Sequence, residues 1–518
     1  MTVRTARRML TSYGLLAAAL ISSTASAQEA PAKAAPDAAA PDTIVSHGQI
    51  TVAGHPLRYR ATVERHLVDA PDGKPAASIY TFSYEREGGR GRETRPVIFA
   101  FNGGPGSASL WLHLGLLGPY RIASLDSLTP TTVAPFTLVE NADTPLDVAD
   151  IVLIDPVGTG YSRMLPAGKP EQFLGTEADA RVTVGIIERW LREHGRMNAP
   201  KYLVSESYGT IRAAVVAKML AGGPTATGGM DGITLNGLVL LGPALDLPDD
   251  PMSDIAQTTT LPTLAAIACY HGKGPKDCTP QGAAAAGRAL VGDGYLDALY
   301  RGADLDAAAK ADLATRLGVL TGIPRTRWLT QNLRIGTTDF AQSLLASQGV
   351  HLGIYDGRYS LDAANPGGDP VADDPAMGRY VPAFVGAMNA YARRTLRVAS
   401  TEEYRPIAFR DVNARWDYGN GPGKRASHNY AVEIGTALRR NPALKVMIGN
   451  GYYDLATPFG QTEHAVAQAG IARTRVIYRY YPSGHMSYLG AASRHALAQD
   501  IRDLITGRLS PAGDQSSR

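Results

Sequence analysis

A serine at a predicted strand-to-helix corner is the feature that most constrains this 518-residue chain. The apolar run at 202–204 predicts a strand, and the Ala-rich run at 211–217 predicts a helix. Between them lies the segment Ser-Glu-Ser-Tyr-Gly at 205–209. A sharp corner of this kind lifts a nucleophilic hydroxyl above the edge of a sheet, so we predict that Ser207 is a nucleophile. The usual motif has Gly where this chain has Ser205, so the segment needs support from the rest of the chain.

Apolar strands and amphipathic helices alternate around this corner. Buried strands are predicted at 96–101, 150–155, 201–204, 238–241, 444–448 and 475–480. A helix is predicted from about Thr176 to His194, which fits the alternation of an α/β protein with a mostly parallel sheet. The β-rich stretches at 57–63 and 77–84 predict antiparallel strands ahead of that sheet.

Two further candidate catalytic residues each lie just past the C-terminal end of a predicted core strand. Asp454 follows the strand at 444–448, and His485 follows the strand at 475–480. Ligands bind beyond the carboxyl ends of such strands, and the order Ser207, Asp454, His485 is that of α/β-hydrolases. Taken singly, the aspartate is also a common turn former, and the histidine could be a surface or core residue. Together the three predict a catalytic triad on an α/β-hydrolase fold.

A glycine-rich loop, Asn-Gly-Gly-Pro-Gly at 102–106, follows the strand at 96–101. Without side chains at its glycines, such a loop brings backbone N–H groups close to a ligand. Its place upstream of Ser207 is that of an oxyanion loop, although a plain turn would have the same composition.

The middle of the chain, at 247–423, interrupts the alternation with Ala-rich, helix-prone stretches and Gly/Pro-rich breaks. We predict a large helical cap here, inserted into a hydrolase core made of residues 43–246 and 424–510, with a tail at 511–518. Trp328 and Trp416 are predicted to be buried. Cys269 and Cys278 could form a disulfide in an oxidising compartment or remain two free thiols.

The N-terminus has the pattern of an export signal at 1–27. Three arginines among the first eight residues precede a short apolar run and the cleavage-site sequence Ala-Ser-Ala at 25–27. The apolar run is too short to span a bilayer, so we expect cleavage after Ala27, no stable membrane anchor, and a periplasmic or secreted protein. Sec export is the default, and the arginine pair also permits the twin-arginine route. Residues 28–42, rich in Ala and Pro, are predicted to be a disordered leader.

The charge and the motif content argue against several other functions. The formal net charge is +3, without charged blocks, so neither nucleic acid nor an anionic membrane is an expected partner. No C-x-x-C or H-E-x-x-H spacing occurs, and we expect neither a metal site nor a cofactor. The oligomeric state is left open.

Four sequence blocks, in order, resemble the serine carboxypeptidase family. They are the loop at 102–106 with Leu-Gly-Pro at 117–119, Asp-Pro-Val-Gly-Thr-Gly-Tyr-Ser at 155–162, Glu-Ser-Tyr-Gly at 206–209, and Gly-His-Met at 484–486. The resemblance runs from about 96 to 489 and is weak through the cap. It implies roles for eight residues: a triad of Ser207, Asp454 and His485, an oxyanion hole from the amides of Gly104 and Tyr208, and binding of a peptide's C-terminal carboxylate by Asn102, Gly103 and Glu206.

Three positions depart from the family pattern. Ser205 replaces the usual Gly, and Ser107 replaces a Cys, so a disulfide common in eukaryotic members cannot form. Leu116 stands where relatives commonly have Glu, so the acid that would share a proton with Glu206 is missing. The family's acidic pH optimum therefore does not carry over to this chain by resemblance.

The sequence thus predicts an exported serine carboxypeptidase that removes C-terminal residues from peptides through an acyl-enzyme. An esterase or acyltransferase on the same scaffold is the nearer alternative. An exported binding protein that keeps the fold without catalysis is the more distant one.

Overall fold

The computed structural model describes residues 43–88, 91–223, 232–246, 248, 250–424 and 428–509. The predicted signal peptide, leader and tail lie outside the described residues. Among the residues that are described, no helix is both long and apolar enough to cross a membrane.

In the described part of the chain, a ten-stranded mixed sheet carries the fold, and four further strands form two small two-stranded sheets. In chain order the strands are β1 Thr43–Val52, β2 His55–Asp69, β3 Pro75–Arg86, β4 Val97–Phe101, β5 Tyr120–Ile122, β6 Leu138–Glu140, β7 Asp150–Asp155, β8 Arg163–Met164, β9 Lys201–Glu206, β10 Gly237–Leu241, β11 Val350–Leu352, β12 Ser360–Asp362, β13 Lys445–Gly451 and β14 Val476–Tyr481.

The strand order across the large sheet is β1-β2-β3-β7-β4-β9-β10-β13-β14, with β8 paired to β3. All neighbours from β7 to β14 run parallel, whereas β1, β2 and β3 are antiparallel and join the sheet through β7. The parallel part with its antiparallel edge confirms the predicted α/β-hydrolase architecture.

Helices pack on the sheet and fill the insertion. Among the described residues, the α-helices longer than one turn are α1 Thr176–Glu193, α2 Gly209–Leu220, α3 Asp254–Tyr270, α4 Pro280–Leu290, α5 Leu296–Arg301, α6 Ala307–Thr321, α7 Arg325–Thr330, α8 Thr337–Ser343, α9 Pro375–Arg394, α10 Ala431–Arg440, α11 Phe459–Gln468 and α12 Ala491–Ile505. The helix-prone stretch at 281–299 is interrupted at Gly294, which has φ of 108°, a value that glycine adopts readily.

Both faces of the parallel strands are buried, which explains their continuous apolar runs. In β4, Ile98 and Ala100 belong to one core cluster, and Val97, Phe99 and Phe101 belong to the cluster on the other face. Successive side chains alternate across a strand, so a single five-residue run serves two cores.

The segment between β10 and β13, two parallel neighbours in the sheet, is the one in which the insertion is predicted. It contains helices α3 to α9, and most of these helices surround a third hydrophobic cluster that includes Trp328. Trp328 and Trp416 are 1% and 2% exposed, in agreement with their predicted burial. The structure joins Cys269, near the end of α3, to Cys278 in a disulfide.

Candidate active site

Ser207 occupies a tight corner between β9 and α2. Its φ is +58°, a conformation that costs a non-glycine residue roughly 1–3 kcal/mol and is concentrated at functional sites. The Ser207 amide donates to the Leu241 carbonyl at the end of β10 (3.0 Å), and the Ser207 carbonyl accepts from the Thr210 amide (2.9 Å). The corner is thereby fixed from both sides, and Ser207 itself is half-buried.

The glycine-rich loop and the corner fit against each other without room for a side chain. A Cβ atom at Gly103 would lie 2.5 Å from the Tyr208 nitrogen, and one at Gly209 would lie 2.9 Å from the Asn102 oxygen. The loop therefore lies directly against the Ser207 corner. No hydrogen bond among the described residues takes up the backbone N–H of Gly104 or of Tyr208, so both amides are available to a ligand.

The two serines that depart from the family pattern are both accommodated. The Ser205 side chain is fully buried, and its Oγ lies 3.5 Å from the Val239 carbonyl of neighbouring β10. The Ser107 Oγ accepts a hydrogen bond from the Trp111 indole nitrogen (2.8 Å). Neither substitution disturbs the corner or the loop.

Asp454 and His485 form a buried hydrogen-bonded pair. Asp454 Oδ2 lies 2.8 Å from His485 Nδ1, and the two residues are 1% and 5% exposed. The other oxygen, Oδ1, accepts the amides of Ala456 (2.8 Å) and Thr457 (2.9 Å), which fixes the carboxylate. Burial acts to lower the pKa of His485, but the Asp454 carboxylate outweighs it, so the pKa is raised above its ordinary value.

This pair lies at the same edge of the sheet as Ser207. A Cβ atom at Gly242 would lie 3.1 Å from His485 Nδ1, and Gly242 directly follows Leu241, whose carbonyl holds the Ser207 amide. The structure thus brings the three predicted triad residues together from the ends of β9, β13 and β14, with His485 oriented by an aspartate as a general base requires.

Glu206 and Asn102 form a second pair beside Ser207. The Asn102 amide nitrogen donates to Glu206 Oε1 (3.1 Å), and the Asn102 side-chain oxygen accepts from the Leu112 amide (3.1 Å). Both residues are almost fully buried. Burial raises the pKa of the Glu206 carboxyl to about 7, although the nearby His485 opposes this by lowering it. A glutamate of this kind is protonated, and can donate a hydrogen bond, at acidic to neutral pH.

The sequence did not predict that a segment of the insertion holds the loop that carries His485. Asp356 Oδ2 accepts the Gly484 amide (3.0 Å), and the Tyr355 carbonyl accepts the His485 amide (2.7 Å). Arg358 pairs with Asp356 (2.6 Å) and donates to the Pro482 carbonyl (2.6 Å). Nothing in the local sequence marks these residues, because the backbone groups that they hold are more than 120 positions away.

Two other supporting residues were also missed. Thr457 Oγ1 donates to Asp454 Oδ2 (2.6 Å) and lies 3.1 Å from His485 Nδ1; its place three residues after an aspartate is a recognisable turn pattern. Arg212 in α2 is fully buried, pairs with Asp179 (2.6 Å) and donates to the Asn102 carbonyl (2.7 Å). It therefore holds the glycine-rich loop from beneath.

Among the residues that the structure covers, no cluster of three or more His, Cys, Asp or Glu side chains could hold a metal ion. The chemical groups that converge at this edge are instead a hydroxyl, an imidazole, two carboxyls and free amides. Such a set is suited to acyl transfer.

Fold and site together define an α/β-hydrolase. A model described as serine carboxypeptidase matches residues 72–264, which include the glycine-rich loop and the Ser207 corner. Among solved structures, the chain is similar to a prohormone-processing carboxypeptidase from Saccharomyces cerevisiae, at 14% identity over 90% of this chain and 91% of that one, with a TM-score of 0.53. Residues 72–264 of the chain are therefore similar to the serine carboxypeptidase family.

Two other solved structures have lower TM-scores. A proline iminopeptidase from Mycobacterium smegmatis is 13% identical, with a TM-score of 0.34 and coverage of 86% of this chain and 100% of that one. A carboxyl esterase from Bacillus coagulans is 12% identical, with a TM-score of 0.32 and coverage of 86% of this chain and 98% of that one.

Proposed function

We propose that this chain is an exported carboxypeptidase that removes the C-terminal residue of peptides. The observation that carries the proposal is the buried Glu206–Asn102 pair directly beside the nucleophile. A protonated glutamate and an asparagine amide are donors that can bind the carboxylate of a peptide's C-terminus.

The mechanism is acyl transfer in two steps. The Ser207 hydroxyl attacks the carbonyl of the last peptide bond while His485 takes its proton, and the amides of Gly104 and Tyr208 stabilise the oxyanion. His485 then gives that proton to the departing amino group, and an ester to Ser207 remains. Water, deprotonated by the same imidazole, hydrolyses the ester, and Asp454 stabilises the imidazolium in both steps.

The substrate claim is tested with a peptide that has a free C-terminal carboxylate and its C-terminally amidated twin. We expect kcat/KM for the free acid to exceed that for the amide by at least about a hundredfold, because the amidated peptide loses two charge-assisted hydrogen bonds. Ser207→Ala is the control and should remove both activities. Equal rates on the two peptides would favour an esterase or acyltransferase.

Catalysis itself is tested with a fluorophosphonate probe, which labels only an activated serine. We expect labelling of the parent protein at Ser207 and none of Ser207→Ala. A folded parent protein that resists the probe would favour the non-catalytic binding role.

Export is proposed from the N-terminal sequence pattern. Expression in a Gram-negative host should give a mature protein in the periplasm or medium that begins after Ala27. Recovery of a cytosolic protein that retains the first 27 residues would contradict this part of the proposal.

A further inference from the structure

Two buried oxygen atoms at the Glu206–Asn102 pair lack a hydrogen-bond partner among the described residues. Neither Glu206 Oε2 nor the Tyr488 hydroxyl makes a hydrogen bond of normal geometry among the described residues, and the tyrosine is 0% exposed. Yet the two groups lie close enough for the hydroxyl to interact with Glu206 and with Asn102. Leaving two buried polar groups unsatisfied is costly, so a small rearrangement that joins them is favourable.

The Tyr488 ring is held against the helical segment that carries Leu116. A Cβ atom at Gly115 would lie only 2.4 Å from Cε2 of the ring, so the backbone at 115 and the tyrosine are in direct contact. Leu116 itself is fully buried and offers the site no polar group. The Tyr488 hydroxyl is therefore the polar group that this side of the site presents to Glu206.

We propose that Tyr488 is a positioning residue for Glu206. The Tyr488 hydroxyl donates a hydrogen bond to Glu206 Oε2. Glu206 Oε1, beside the Asn102 amide, is then left to meet the ligand's carboxylate. The proposal rests on the proposed carboxypeptidase function. Being 0% exposed, Tyr488 acts through Glu206 and does not touch the substrate. A tyrosine also remains a donor at alkaline pH, because burial raises the pKa of Tyr488 well above its ordinary value.

The ionisation of Glu206 gives this role a measurable signature. Burial raises the pKa of Glu206 to about 7, while His485 and the Tyr488 hydroxyl lower it and Asp454 raises it. Tyr488 in turn faces Tyr380 of α9 as well as Glu206. Removing the hydroxyl takes away a group that stabilises the ionised carboxylate, so Glu206 should hold its proton to higher pH.

The test compares the parent protein with Tyr488→Phe, which keeps the ring against Gly115. KM and kcat are measured from acidic to alkaline pH on a peptide with a free carboxylate. We expect the pH at which KM begins to rise to move up by about one unit, the effect of one hydrogen bond to a charged group, with kcat changed less than about twofold. Tyr295→Phe is the matched control, because Tyr295 is equally buried and donates to the Leu333 carbonyl (2.8 Å) within the insertion.

A second variant covers the case in which Tyr488→Phe does not fold. Gly115→Ala adds a methyl group against the ring and displaces the hydroxyl, so it should shift the KM profile in the same direction. An unshifted profile in a folded Tyr488→Phe protein, or the same shift in Tyr295→Phe, overturns the role of Tyr488. If the parent protein itself does not distinguish the free acid from the amide, the proposed function fails instead.

Discussion

The raised pKa of the Glu206 carboxyl leads to a quantitative prediction for the variant Glu206→Gln. With a pKa of about 7, the parent carboxyl loses its proton over the neutral range, and an ionised glutamate repels the ligand's carboxylate. One pH unit above that pKa, only about a tenth of the sites are protonated, so KM for a free-acid peptide should be about tenfold higher than its acidic value. Glutamine has no charge and keeps an N–H donor at every pH. Its KM should therefore be nearly flat, and above neutral pH the variant should bind the peptide more tightly than the parent does.

The assay separates KM from kcat across pH for the free-acid peptide, with the amidated peptide measured alongside. Glu177→Gln is the matched control, because Glu177 lies on the exposed side of α1 with 69% of its side chain accessible. The control should keep the parent profile, and thermal melts should show that all three proteins are folded. The same alkaline rise of KM in Glu206→Gln as in the parent would refute the role of this carboxyl.

Three further variants test the triad, the support of the loop that carries His485, and the disulfide. Asp454→Asn should lower kcat about ten-thousandfold in steady-state assays, because the histidine loses its orienting carboxylate; a loss below tenfold would exclude it from the triad. Asp356→Asn weakens the acceptor of the Gly484 amide and should lower kcat about tenfold to a hundredfold, with fluorophosphonate labelling slowed in parallel; unchanged labelling would contradict this. Replacing Cys269 and Cys278 with serine should lower the free energy of unfolding by about 2–3 kcal/mol in denaturant titrations, and an unchanged midpoint would argue against the disulfide.

The parts of the fold and site that the sequence predicts are those governed by local rules. Each of Ser207, Asp454 and His485 lies a few residues past the C-terminal end of a mostly apolar run, and such a run in an α/β chain is a strand buried on both faces. Because parallel strands end at one edge, three such positions meet there without any knowledge of the strand order. The strand order itself, with β7 between β3 and β4, depends on pairings that no local pattern contains.

The parts that the sequence does not predict are contacts between distant segments. Asp356 lies in the insertion and reaches the Gly484 amide, 128 positions away. Arg212 supports the Asn102 carbonyl from a helix that, read alone, is only Ala-rich and buried. In each case the side chain is buried and polar, and its role depends on which backbone group it meets after folding.

Leu116 shows how the folded structure changes a functional expectation drawn from the sequence. Seen along the chain, the missing acid at 116 suggests that Glu206 has lost the partner that would keep it protonated. In the structure the main cause of its raised pKa is burial, with Asp454 adding to it and His485 opposing it, and burial needs no second acid. A pair of acids that shares one proton loses its function when that proton leaves, whereas a single buried acid is governed by its own pKa of about 7. Leu116 should therefore leave carboxylate recognition in place, and we expect it to persist to neutral pH.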